Sequence, residues 1–384
     1  MERSQLSIYS GREQTAAKHF ILQRYLQALA FKVLTFADIA YVDGFSGPWE
    51  TRTPDFSDTS FMIAIQVLKD AQTKIREREG MKRQIRCFFS ENDPKAYGQL
   101  AAAVASHHNP SDLFEIETYP GDFVDAVPQI RKTIGRAFPL IFIDPTGWTG
   151  YPFDRIQTIF DYGRCEVLIN FMYDFVNRFV ASEDEVIVAS LDPILGGPGW
   201  RNRLDKTLSR GLAVEKLFRE TLKHVGKFQH VVSTKIDKST ADRPHFFLAY
   251  GTKSRDGLRV FRQIEYEALK EHARNRANAK EKWSEQKSRM LDFFPGHEAV
   301  VQEASVDDLV SEQMKSAMGE IQNKLAARLA IPFSEVVDGA LEAFMLRETN
   351  VKDICVDLAN AGRIERTWGG GNRKPRDTDV IRLT

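Results

Sequence analysis

The sequence predicts an α/β fold: a doubly wound, mostly parallel sheet, then a helical module ending in a hairpin. Three observations predict it. Apolar strand-like runs alternate with amphipathic helical runs through the first two thirds of the chain, which right-handed crossovers convert into parallel pairing. Each of the first four strand-like runs delivers a carboxylate at or just beyond its C-terminal end: Asp43, Glu91, Asp122 and Asp144. Two adjacent β-rich runs, 228–236 and 245–250, then read as a hairpin that closes the sheet.

The opening helix is expected over 12–36, where Ala16, Phe20, Ile21, Tyr25, Leu29 and Val33 recur at helical spacing after a short extended lead-in at 5–8. Lys18 and His19 lie within it and read as a surface lysine and a helix histidine, though a helix leading into the first strand can overhang a cofactor mouth. Ile39 to Val42 is a buried strand that stops at Asp43-Gly44-Phe45-Ser46-Gly47-Pro48-Trp49. Glycines there let a ligand approach the backbone, and Asp43 can accept hydrogen bonds from an amine or hydroxyl; the same acid type also caps helices and solvates turns. A helix over 57–74 follows, then strand 85–91, and a helix from Pro94 to about Ala105 started by Asn92-Asp93. Strand 113–119 leads into the turn Gly121-Asp122-Phe123, and a short helix over 124–136 leads to strand 140–143 and Asp144-Pro145. Residues 153–160 are helical and 166–171 form the fifth strand. The glycine-rich stretch Leu195 to Trp200 lacks GxxxxGK[ST] spacing and reads as a loop or lid.

Beyond about residue 255 the character changes. Residues 264–290 are dense in Glu, Lys and Arg and read as a long, largely solvated connector helix, which gives a division into 1–255, 256–295 and 296–384. A helix over 309–329 and two shorter ones over 332–344 and 350–361, the last capped by Asn350, precede strands at 362–368 and 379–383. Helix, turn, helix, hairpin is a winged-helix-like pattern. Its tip carries Arg373, Lys374 and Arg376, the candidate nucleic-acid contact.

Composition sets the bounds. The 384 residues are 42% hydrophobic and 28% charged with no net charge, so no global charge excess points to nucleic acid or an acidic membrane. Cys87, Cys165 and Cys355 form no CxxC or Cys/His cluster, so no metal site is expected and the thiols read as reduced core residues of a cytoplasmic protein. Neither a secretory signal nor an apolar run of transmembrane length is present in the sequence, so no membrane partner is expected.

Seven strands ending in a hairpin is the Rossmann-like arrangement of class I S-adenosylmethionine-dependent methyltransferases, whereas the GxGxxG turn of dinucleotide-binding dehydrogenases is absent. Three segments sharpen the comparison: Tyr41-Val42-Asp43-Gly44-Phe45-Ser46-Gly47-Pro48, Phe142-Ile143-Asp144-Pro145-Thr146-Gly147-Trp148-Thr149-Gly150-Tyr151-Pro152, and Leu168-Ile169-Asn170-Phe171-Met172-Tyr173-Asp174. In this order they resemble the signature segments of the three-Cys-motif partner proteins, a bacterial family regarded as methyltransferase-like. The resemblance implies S-adenosylmethionine as cofactor and a partner protein carrying clustered cysteines; it does not supply the methyl acceptor, which would be nucleic acid or that partner. On this reading Asp43, Gly44, Phe45 and Gly47 hold the methionine end, Glu91 the ribose hydroxyls, and Asp122 the adenine amino group with Phe123 packed on the ring. Asp144 and Pro145 face the methyl group, where Asp144 orients or deprotonates the acceptor.

The chain departs from relatives of known chemistry at Pro48 and Trp49, which add bulk where many methyltransferases have a second glycine. Asp-Pro-Thr-Gly also replaces the Asp/Asn-Pro-Pro-aromatic run of amino-directed DNA methyltransferases, and no Pro-Cys nucleophile is present. A catalytically silent nucleic-acid-binding or assembly component, in a bacterial defence or mobile-element system, is the competing expectation.

Overall fold

The fold was taken from a computed structural model, which describes residues 8–48, 51–239, 241, 243–288, 297–369 and 373–384. Trp49 and most of the lead-in at 5–8 lie outside them. The chain divides into two compact units, Met1–Ser254 and Arg255–Thr384, with the charged helix in the second.

In the first unit, α1 (Glu13–Val33) precedes β1 (Ile39–Asp43), and α2 (Ser60–Glu79), β2 (Ile85–Glu91), α3 (Pro94–Ala105), β3 (Phe114–Pro120), α4 (Val127–Ile134) and β4 (Phe138–Ile143) follow. A short α5 (Phe153–Ile156) leads to β5 (Glu166–Phe171). Three short helices, α6 (Tyr173–Phe179), α7 (Glu185–Ser190) and α8 (Asp192–Leu195), and the longer α9 (Arg210–Gly226) then lead to β6 (His230–Asp237) and β7 (Pro244–Thr252). The strands form one seven-stranded sheet in the order β3-β2-β1-β4-β5-β7-β6, a Rossmann-like α/β architecture. β1 to β5 pair in parallel, and β7 lies antiparallel between β5 and β6.

Strand alternation assigns the two faces. Ala40, Val42, Phe88, Ile141, Ile143, Val167, Ile169 and Phe171 join one core, together with α4, α5 and α9 residues such as Ile130, Phe153 and Phe218. The intervening residues, Tyr41, Asp43, Phe89, Phe142, Leu168 and Asn170, face the other way, where Phe61 of α2 packs on Phe89. On that side α1 is pinned by a buried polar knot: Tyr25 donates to Glu166 Oε2 at 2.6 Å, Thr252 donates to Glu166 Oε1 at 3.0 Å, and Tyr25 also bonds Tyr250. Burial pushes the Glu166 carboxyl up, while the hydrogen bonds from Tyr25 and Thr252 pull it back. The knot fixes what stands two turns earlier on the helix. Seven residues of helix rise about 10 Å and four of strand about 13 Å, so a residue near Lys18 reaches the sheet edge that Asn170 reaches from Glu166.

In the second unit, α10 (Arg255–Ser288) and α11 (His297–Arg328) pack along one another, then β8 (Ala330–Pro332), α12 (Phe333–Ala343), α13 (Glu348–Asn360) and β9 (Val380–Arg382) follow. The expectation that 264–290 is largely solvated is corrected for its first half, where Ile264, Glu265, Ala268, His272 and Ala277 are buried; Leu258, Phe261 and Arg262 before it are buried too. Arg262 pairs with Glu265 at 2.5 Å and donates to the Leu341 carbonyl at 2.8 Å, which satisfies a charge that burial would otherwise penalise. Arg274 is held by Glu303, and Arg276 is buried.

The hairpin at the end of the unit also differs from expectation. β9 pairs with β8, while the strand expected at 362–368 is reduced to a single bridge, Ile364 to Leu383. Gly362, in the left-handed region at φ 64°, turns the chain out of α13, and Trp368 folds back, 5% exposed, to donate to the Arg373 carbonyl at 2.9 Å. A chain that turns back on itself there has no extended run to pair. Asn350 is likewise not the cap of α13 but its third residue, accepting from the Arg347 amide at 2.9 Å.

Candidate functional site

Parallel pairing brings the ends of β1, β2, β3 and β4 to one edge of the sheet. Asp43 stands opposite Phe142 of β4, one step from Ile143 and Asp144, and Glu91 stands opposite Pro120, two residues before Asp122. The carboxylates read one at a time from the sequence therefore share an edge.

Asp43 is fully buried. Its Oδ2 accepts from Ser60 Oγ at 2.7 Å, and its Oδ1 from the Phe45 amide at 3.1 Å, so the turn after β1 and the start of α2 both close on one carboxylate. Burial raises its pKa to about 6 against the pull of these hydrogen bonds, and the charge of Asp144 adds to the rise. At neutral pH the group is mostly ionised, and a cation placed beside it would gain from its incomplete solvation. The turn is held further by Ser46, whose amide donates to the Ser90 carbonyl at 2.9 Å, and by Ser90 Oγ, which donates to the Gly44 carbonyl at 3.0 Å.

Gly44 is required by a close approach. A Cβ there would lie 2.6 Å from the Phe123 ring. Phe123 is 2% exposed and packs on Phe45 with ring centroids 5.7 Å apart. Its ring thus covers the glycine turn and offers no free face for stacking unless Phe45 moves. Phe45 itself lies near Gly150, while Gly47 is half-buried in the turn.

Glu91 is 4% exposed, and its Oε1 accepts from the Asp93 amide at 2.8 Å. Asp122 is exposed and accepts from Asn92 Nδ2 at 2.9 Å. Pro145 is buried beside a half-buried Asp144.

Asp144 has two partners that the sequence did not announce. Asn170 Nδ2 donates to its Oδ1 at 2.6 Å, and the Lys18 ammonium bonds its Oδ2. Lys18 was read as a surface residue; its side chain is 11% exposed, over the ring of Phe246. His19, its neighbour on the helix, is buried, accepts from or donates to Tyr9 at 2.9 Å, and is kept neutral by burial with its pKa lowered to about 3. The missed signal was placement: Lys18, Leu22, Tyr25 and Leu29 fall on one helical stripe, so a charge sits in line with the apolar residues. Two buried polar atoms on this face, Tyr41 Oη and Asn170 Oδ1, have no hydrogen-bond partner among the described residues. Farther along the edge, Asp174 pairs with Lys238 at 2.6 Å and with Arg178 at 2.9 Å.

The candidate nucleic-acid residues Arg373, Lys374 and Arg376 are exposed, but Lys374 is paired with Asp353 of α13. That helix also carries Glu348 and Asp357 against Lys352 alone, an acidic balance unlike a helix that enters a groove of duplex. Among the described residues no group of three or more His, Cys, Asp or Glu is arranged to hold a metal, and no helix is long and apolar enough to cross a membrane. A separate cavity of about 1010 Å³ among α5, α8 and α9 is lined by Asp192, Gly196, Arg203 and His224, so the glycine-rich stretch shapes it, and none of the edge carboxylates does.

No protein-family model matches the chain, and no curated protein matches it.

Proposed function

We propose that the first unit is an S-adenosylmethionine-dependent methyltransferase-like protein that works with a three-Cys-motif partner, on an acceptor that is either nucleic acid or that partner. The observation that carries the reading is the sheet order with β7 antiparallel between β5 and β6, combined with carboxylates at the ends of successive strands on one edge. In open α/β sheets that edge is where ligands bind, and a sulfonium-bearing cofactor calls for anionic surroundings. The residues present fit such a group. Asp43 is a buried carboxylate that keeps lone pairs beyond those taken by Ser60 and the Phe45 amide, and Glu91, a buried carboxylate one strand away, is the residue type that two ribose hydroxyls call for. Asp122 lies beyond it, exposed, for an exocyclic amine.

The cofactor, when bound, supplies the electrophilic methyl group. The protein's part is position. Asp144, held by Lys18 and Asn170 on separate oxygens, is a fixed orienting group for an acceptor, and Pro145 stops the strand behind it. In the second unit we assign a winged-helix-like role to α12, α13 and the β8–β9 pair, with Arg373 and Arg376 as the nucleic-acid contacts.

One observation favours a second reading, a catalytically silent component that keeps the fold as a scaffold: the Phe123 ring lies on Gly44, where a cofactor would approach. Titration calorimetry with S-adenosylmethionine separates them. Saturable binding that is lost in Asp43→Ala supports the enzyme-type reading; no heat with the wild type supports the scaffold.

A further inference from the structure

An ammonium that is nearly buried needs acceptors for all three of its N–H groups. Lys18 has one. Among the described residues its only hydrogen bond goes to Asp144, and its other close neighbour is the Phe246 ring, 5.9 Å from the nitrogen to the centroid. Two donors are therefore available at the ligand edge of the sheet, on a side chain that is 11% exposed and anchored through the knot around Tyr25.

The surroundings say what kind of group would take them. The local set is one lysine and two aspartates, Asp43 and Asp144, which carries a net charge of −1 when both acids are ionised. A phosphate would meet two carboxylates for one cation. A free carboxylate alone would fare little better. A zwitterion does not: its carboxylate can take the open donors of Lys18 while its ammonium faces the remaining lone pairs of Asp43.

We propose that Lys18 holds the α-carboxylate of an α-amino-acid ligand whose ammonium is read by Asp43, which on the function proposed above is the methionine end of S-adenosylmethionine. The inference rests on that reading and adds a residue from α1 that the sequence placed on the surface. It also explains why a lysine stands on the buried stripe of that helix, where an apolar residue would pack at lower desolvation cost.

The test compares two ligands and two proteins by titration calorimetry: S-adenosylmethionine and decarboxylated S-adenosylmethionine, each with the wild type and with Lys18→Met. The wild type is expected to bind the intact cofactor at least tenfold tighter than the decarboxylated one. Lys18→Met should erase that preference, weakening the intact cofactor tenfold or more and leaving the decarboxylated one within about twofold. Wild-type binding of both ligands with equal affinity overturns the role of Lys18 while leaving the cofactor reading intact, and it does so without relying on any variant to fold. Equal weakening of both ligands in a folded Lys18→Met reduces Lys18 to a structural support and also overturns it. Binding of neither ligand by the wild type removes the cofactor reading itself, and this inference with it.

Discussion

Ser60, the first residue of α2, donates its hydroxyl to Asp43, the last residue of β1, at 2.7 Å. The bond ties the end of a central strand to the start of the next helix and holds the carboxylate in place across the turn between them. Its cost is a buried charge, and that cost is measurable.

Burial raises Asp43 from 3.8 to about 6, so between these values the native state binds a proton that the unfolded chain has released. Stability is therefore expected to fall as pH rises from about 4 to about 6, by on the order of 3 kcal/mol, and to level off above. Asp43→Asn removes this slope. Thermal melts of both proteins at pH 4.5 and pH 7 should show the variant gaining on the wild type at the higher pH, and parallel shifts would refute the assignment.

The same ionisation sets a pH dependence for ligand binding. A cation pairs with ionised Asp43, so the affinity for S-adenosylmethionine is expected to be about tenfold weaker at pH 5 than at pH 7. Calorimetry at the two values checks it, with Asp43→Asn as the reference whose affinity stays flat between them.

Asp58 behaves oppositely. Burial alone would raise it, but hydrogen bonds from Thr51, the Arg52 amide, Thr53 and Arg12 prevail and lower it to about 2. Its contribution is present above pH 4 and is lost as pH falls toward 2. Asp58→Ala also removes the ion pair to the buried Arg12, 3.0 Å away, and is expected to cost about 3 kcal/mol in urea unfolding. A change under 1 kcal/mol would mean that the 51–58 loop is not held by this pair.

Gly44→Ala places a methyl group against the Phe123 ring and is expected to destabilise by about 1–3 kcal/mol. Combined with Phe123→Ala, the loss should be smaller than the sum of the two single losses. Additive losses would show that the ring is not what excludes a side chain at position 44.

The proposed nucleic-acid contacts are testable residue by residue. Replacing Arg373 and Arg376 together with Ala is expected to weaken duplex binding and reduce its salt dependence, whereas Lys374→Ala has a smaller effect because Asp353 already neutralises it. Equal effects from all three, or none, would move the contact elsewhere.

Much of the first unit was legible because its strands are short apolar runs with an acid at or just past the end, a local signal that needs no knowledge of distant residues. Glu91 and Asp144 could be placed on one edge from that pattern and the right-handed crossover rule alone. What could not be read were partnerships across the chain. Lys18 and Asp144 are 126 positions apart, and nothing near either residue announces the other. The orphaned Asn170 Oδ1 needed the register of β5 against its neighbours. In the second unit the strand expected at 362–368 rested on β-favouring residues, yet Gly362 and the back-folded Trp368 decided the path. Propensity lost there to a turn and one indole hydrogen bond.

The most direct measurement of the central claim is a crystal structure with S-adenosylhomocysteine bound. The account predicts ligand density along the ends of β1 and β2, with the homocysteine end at Asp43 and the ribose hydroxyls at Glu91. Density elsewhere, or an unchanged Phe123 ring over Gly44 with no ligand at saturating concentration, would contradict it.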